Sequence, residues 1–158
     1  MLAQQQMYKS EMWNCSFPFG DYIVDRWETA REHGFGEGIS IYDSGLLLGA
    51  VAVGGNTWFV PPTVLDGSGG LVVGDHSSIS AGVQIYTHDT VKRAVNDGVY
   101  PLEHAPLRIS NPCYICPNVI IGKGVTIGGC CVIGANSLVN SDLPVETKAW
   151  GAPASVIN

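Results

Sequence analysis

Residues 115–139 read I-C-P-N-V-I-I-G-K-G-V-T-I-G-G-C-C-V-I-G-A-N-S-L-V, and a large β-branched residue falls at every sixth place: Ile115, Ile121, Ile127, Ile133 and Val139. The same count runs back through Ile109 and, across a break, through Ile85, Ile79 and Val73. After a slip of two residues it continues through Leu65, Phe59, Val53, Leu47, Ile41 and Phe35, and in the other direction it reaches Val145. Four places after the large residue comes a small or β-branched one in most units: Thr57, Thr63, Ser77, Val83, Val119, Val125, Ser137 and Ala149. A period of six is neither the 3.6 of a helix nor the 2 of a half-buried strand. A short strand, a bend and another short strand fit it. The large residue points inward, the small one fills the corner, and three hexads close one triangular coil. Successive coils then stack at the strand spacing of about 4.8 Å. The expected fold is an all-β, parallel solenoid over residues 35–157.

Residues 1–34 lack the period and form a separate N-terminal segment. Within it D-Y-I-V-D-R-W-E-T-A-R-E-H-G (21–34) predicts a short amphipathic helix, with Asp21 as N-cap, a stripe of Tyr22, Ile23, Trp27 and Ala30, and Gly34 as the stop. Its expected task is to cap the open edge of the first coil.

The composition bounds the rest. With 8 Lys+Arg against 14 Asp+Glu and a net charge of −6, the chain offers no broad phosphate-tracking surface, so nucleic acid is set aside. Only 14% of residues are charged, so extensive burial or coverage by other subunits is expected. No apolar run reaches membrane-span length and no signal-like start is visible, which points to a cytoplasmic protein away from membranes. The cysteines, Cys15, Cys113, Cys116, Cys130 and Cys131, are odd in number and read as thiols. Cys113 and Cys116 with Cys130 and Cys131 have zinc-like spacing, but the hexad register places Cys113 and Cys131 in the core, so no metal is expected.

The count stops at His88 and resumes at Ile109. The segment 88–108 is too long for a coil corner, and long excursions in compact repeats are binding elements or disorder. Val91, Val95, Val99, Tyr100 and Leu102 offer it apolar anchors. His88 therefore stands where a rigid strand ends and a wall begins, and histidine suits proton transfer near neutrality. The polar residues of the excursion, Asp89, Lys92, Arg93, Glu103 and His104, together with Tyr86, are the candidate acceptor contacts. Asp89 or Glu103 is a candidate to orient His88.

In the forms V-G-x-x-T-x and I-G-x-x-V-x, the hexads resemble the repeat of left-handed parallel β-helix proteins, a hand that spacing alone does not give. The run I-S-A-G-V-Q-I-Y-T-H-D-T, the excursion, the quoted hexads and the ending W-G-A-P-A-S-V-I are similar to the hexapeptide-repeat acyltransferases, in particular to maltose/galactoside-type sugar O-acetyltransferases. That resemblance implies acetyl-CoA as donor, His88 as general base, a sugar-type small acceptor and a homotrimer with sites between subunits. It also implies cofactor contacts along one edge, at Pro117, Ala135 and Pro153 spaced by eighteen, and at Asn140, Ser141, Lys148 and Gly151. The family's T-K-D and P-A-K-V-I are replaced here by Asn140-Ser141-Asp142 and Pro153-Ala154-Ser155-Val156-Ile157, so Lys123 and Lys148 become candidate contacts to the cofactor phosphates. The rival readings are a non-catalytic scaffold and a γ-type carbonic anhydrase. The second needs histidines five apart, and His33, His76, His88 and His104 include no such pair.

Overall fold

The computed structural model describes residues 2–17 and 19–157. From Ser40 onward the chain winds into a parallel β-solenoid of about five turns with three flat faces. Face one stacks β2 (Trp58–Phe59), β4 (Ser78–Ile79), β9 (Cys113–Ile115), β12 (Cys131–Ile133) and β14 (Lys148–Gly151), and an antiparallel β15 (Ala154–Ile157) closes it. Two long strands, β1 (Leu46–Val53) and β3 (Val64–Val73), turn a corner and serve two faces. Their first halves join β5 (Gln84–Ile85), β10 (Ile120–Ile121) and β13 (Leu138–Val139) on face two. Their second halves join β8 (Leu107–Ile109) and β11 (Thr126–Ile127) on face three.

The period-six residues form the core because they stack on one another. Ile79, Ile115 and Ile133 lie in register on face one and Leu65, Ile85, Ile121 and Val139 on face two, all essentially inaccessible. Fully burying each such side chain is worth roughly 1.5–3 kcal/mol. The small fourth-place residues fill the corners, Thr57, Ser77 and Val119 among them. Cys113 and Cys131 sit over one another in the same way, with Cys113 Sγ donating to the carbonyls of Ser110 and Gly128. Burial pushes the Cys113 thiol up to about 11. All five cysteines are free thiols.

The count fails at its end. Val145 is 67% exposed, and Leu143 and Ala149 take the inward places instead. Ile127 bridges Leu143 and Ile133 pairs with Ala149, so the last coil is two residues shorter than the eighteen-residue coils before it. At this corner Asp142 Oδ1 accepts the Thr126 N–H at 2.7 Å and the Leu143 N–H donates to the Thr126 carbonyl.

Before the solenoid lie α1 (Leu2–Trp13), a turn of 3₁₀ helix at Phe19–Tyr22 and α2 (Arg26–Glu32). The predicted helix is present but starts later. Asp25, not Asp21, is the N-cap, and its Oδ1 accepts the N–H groups of Trp27 and Glu28. Asp21 is buried in the 3₁₀ turn, and Ile23 is exposed. Ala30 packs against the core of the first coil, and the Arg26 carbonyl accepts the Ile41 N–H. Among the described residues no helix is long and apolar enough to cross a membrane.

Candidate active site

The excursion leaves the corner between faces two and three. It begins with β6 (His88–Asp89), continues through one helical turn, α3 (Val91–Ala94), and returns by β7 (Glu103–His104), which pairs antiparallel with β6. His88 faces His104 across this two-rung ladder, ring centroids 5.8 Å apart, and Asp89 faces Glu103. The base of the hairpin rests on Gly69. A side chain there would meet the Thr87 carbonyl at 2.6 Å, so only glycine lets the hairpin lie this close.

Asp66 lies beneath His88, one coil earlier, and is wholly buried. Its Oδ2 is 2.7 Å from His88 Nδ1 and also accepts the main-chain N–H groups of Thr87 at 2.8 Å and His88 at 3.2 Å, while Oδ1 accepts the N–H of Ser68 at 3.0 Å. Burial alone would raise the Asp66 carboxyl. Hydrogen bonds from Ser68, His88 and Thr87 outweigh it and hold the group well below the usual carboxylate range. A carboxylate at Nδ1 fixes the neutral imidazole with its proton on Nδ1, which leaves the Nε2 lone pair open. The ring itself is 28% exposed, so a reactant has access to it. Ser68 Oγ lies 3.1 Å from the same Nδ1. The arrangement is an imidazole held in one tautomer.

Asp66 is the residue that sequence reasoning misses. The candidates to orient His88, Asp89 and Glu103, are occupied elsewhere: both pair with Lys123, and Glu103 also pairs with Lys92. The available signal is the two-residue slip between Leu65 and Val73. In the structure it is a bulge of β3 against β1 at residues 68–70, immediately after Asp66, which still pairs in register with Leu48.

The other candidates disperse. Tyr86 donates its hydroxyl to Gln84 Oε1 at 2.8 Å, and Arg93 Nη1 donates to the Gly98 carbonyl, closing the loop on itself. The apolar residues of the loop do not anchor it, since Val91, Val95, Val99, Tyr100 and Leu102 are all exposed in the single chain. Pro117 and Ala135 do stack at the corner between faces one and two, where Asn136 N–H donates to the Pro117 carbonyl. Pro153 does not continue the column. The shortened last coil puts Gly151 there, with φ +108° and its N–H donating to Ser137 Oγ, and Pro153 falls in the turn between β14 and β15. Lys148 points outward on face one, level with Val132. Asn140 and Ser141 are exposed on the other edge, the one shared with His88 and Lys123. Lys123 is taken up by Asp89 and Glu103 and is not a free phosphate ligand. Among the described residues no group of three or more His, Cys, Asp or Glu could hold a metal ion.

No protein-family model matches the sequence. The galactoside O-acetyltransferase of Escherichia coli (strain K12) is 29% identical over 127 residues, covering 66% of this chain and 62% of that protein. A hexapeptide-repeat acetyltransferase of Vibrio cholerae O1 biovar eltor, solved with acetyl coenzyme A, superposes with a TM-score of 0.72 at 26% identity, over 99% of this chain and 86% of that one. In sequence and in fold the chain is similar to the hexapeptide-repeat acetyltransferases. Its fold is accordingly the left-handed parallel β-helix of that family. A galactoside acetyltransferase solved with coenzyme A gives a TM-score of 0.76 at 26% identity, covering 99% of this chain and 81% of that one. The chain spans about three-fifths of the length of the curated relatives it matches.

Proposed function

We propose that the protein transfers an acetyl group from acetyl-CoA to a hydroxyl or amine of a sugar-type small acceptor, with His88 as general base. The observation that carries this reading is the pairing of His88 Nδ1 with the buried, ionised Asp66 at the point where the excursion leaves the solenoid. Nε2 takes the acceptor's proton as its oxygen or nitrogen attacks the thioester carbonyl. The carbon–sulfur bond of the tetrahedral adduct then breaks, and the departing thiolate recovers a proton from the imidazolium, now stabilised by Asp66. No cysteine is required: Cys113 and Cys131 are core residues, and no covalent intermediate is invoked. Likeness to relatives named as galactoside acetyltransferases, one of them solved with coenzyme A, supports the donor and the acceptor class.

The site is proposed to be shared between the chains of a homotrimer. The two sets of candidate residues lie on different edges of one solenoid. His88, Asn140 and Ser141 flank the corner of faces two and three, and Pro117, Ala135 and Gly151 flank the corner of faces one and two. Face two, between these edges, presents the exposed Leu46, Ile120 and Leu138 in one row with Val64 and Gln84. Three chains packed with this face toward a common axis bring one edge of each against the other edge of the next, and cover that row. A sedimentation experiment at micromolar concentration should show a trimer, and a monomer would contradict the shared site.

The activity itself is tested by incubating the protein with acetyl-CoA and a panel of sugars and amino sugars. Acceptor-dependent release of free thiol and an acetylated product by mass spectrometry are expected. Absence of both over the whole panel would favour a non-catalytic scaffold.

A further inference from the structure

We propose that Lys123 is the positioning residue that holds the His88–His104 hairpin closed over the solenoid. The inference rests on the acetyl-transfer reading for its functional consequence, and on geometry alone for its structural one. The ladder of β6 and β7 has two rungs, too few to be stable on their own. One rung places Asp89 directly opposite Glu103, and like charges in directly opposed positions of an antiparallel pair repel. The loop beyond contributes no core, because its valines are exposed.

Lys123 resolves the conflict. Its Nζ lies 2.9 Å from Asp89 Oδ2 and 2.7 Å from Glu103 Oε2, so one ammonium ties both strands together, and Lys92 pairs with the second oxygen of Glu103. Lys123 projects from the corner that follows β10, whose Ile121 is fully buried, so its main chain belongs to the rigid coil. A methyl group on the next residue, Gly124, would meet the Ala105 side chain at 3.4 Å, so the hairpin's exit lies close against this corner. An isolated exposed ion pair contributes little. Here the cation also offsets a repulsion built into the hairpin, so its removal acts twice. Asp66 sets the tautomer of His88 from below, and Lys123 keeps His104 and the loop in place from the side.

The test is peptide-level hydrogen exchange over residues 88–105, read beside steady-state kinetics. Lys123→Met should speed exchange of this segment by about tenfold while leaving the coils protected. It should lower kcat by about tenfold with the KM for acetyl-CoA nearly unchanged, as expected for a misplaced but intact site. Lys123→Arg should restore both. Adding Asp89→Asn to Lys123→Met should recover protection, because the like-charge rung is gone. Unchanged exchange in Lys123→Met would overturn the proposal. Unchanged exchange with a raised KM for acetyl-CoA would overturn it in favour of a phosphate contact. Exchange that responds as expected in a protein without transferase activity would support the clamp and refute the acetyl-transfer reading instead.

Discussion

Asp66→Asn should lower turnover by about 10²-fold or more and also destabilise the fold. The amide is nearly isosteric, so the change is one of charge and hydrogen-bond sense. Oδ2 of Asp66 faces three N–H donors, from Thr87, His88 and the His88 ring, and Oδ1 faces that of Ser68. Whichever way the amide turns, its NH₂ group meets donors, and a buried network of this kind costs about 2–4 kcal/mol when broken. The imidazole loses its anionic partner and is free to place its proton on Nε2, where it cannot act as a base. The pH dependence follows from the sign of the Asp66 shift. The folded carboxyl is held below its unfolded value, so its contribution to stability is complete above the unfolded carboxylate range, about pH 4, and is lost as the pH falls through the folded value. Thermal unfolding at neutral and acid pH should therefore show this component in the wild type and not in the variant. Turnover within a few-fold of wild type would show that Asp66 does not orient the base.

The fold is legible because each hexad repeats one physical solution. Ile115 is inward for the same reason as Ile79 beneath it and Ile133 above it, so phase kept over many units reveals the solenoid. The reading fails where the length of a coil changes. The last coil, where Asp142 bonds the Thr126 N–H, is one such place; a second failure is Asp66, which occurs in polar sequence that resembles solvated turn yet, 22 positions before His88, is wholly buried against it. Only the stacking of coils brings Asp66 to His88, and no short motif encodes that juxtaposition. The excursion is legible as an element, because the rhythm stops at His88, but not in its fastening. Its valines suggest apolar anchors, whereas ion pairs with Lys123 and Lys92 hold it. The column of small residues on the opposite edge is legible at Pro117 and Ala135 and not at Gly151, because the shortened coil is invisible to a count of eighteen.

His88→Ala should have the largest catalytic effect with the smallest structural one. The ring is partly exposed and covers no core, so the melting temperature and the sedimentation coefficient should stay close to those of the wild type. Its removal does leave Asp66 without one donor, but Thr87 N–H and His88 N–H are main-chain groups and continue to satisfy the carboxylate. What is lost is the proton acceptor at the attacking atom, an effect of about 10²–10⁴-fold in turnover. The measurement that bears most directly on the proposed mechanism is therefore kcat for His88→Ala with an acceptor that the wild type acetylates, taken on material of unchanged melting temperature and oligomeric state. A fall of two to four orders of magnitude is predicted, and near-normal turnover would contradict the assignment of His88 as the base.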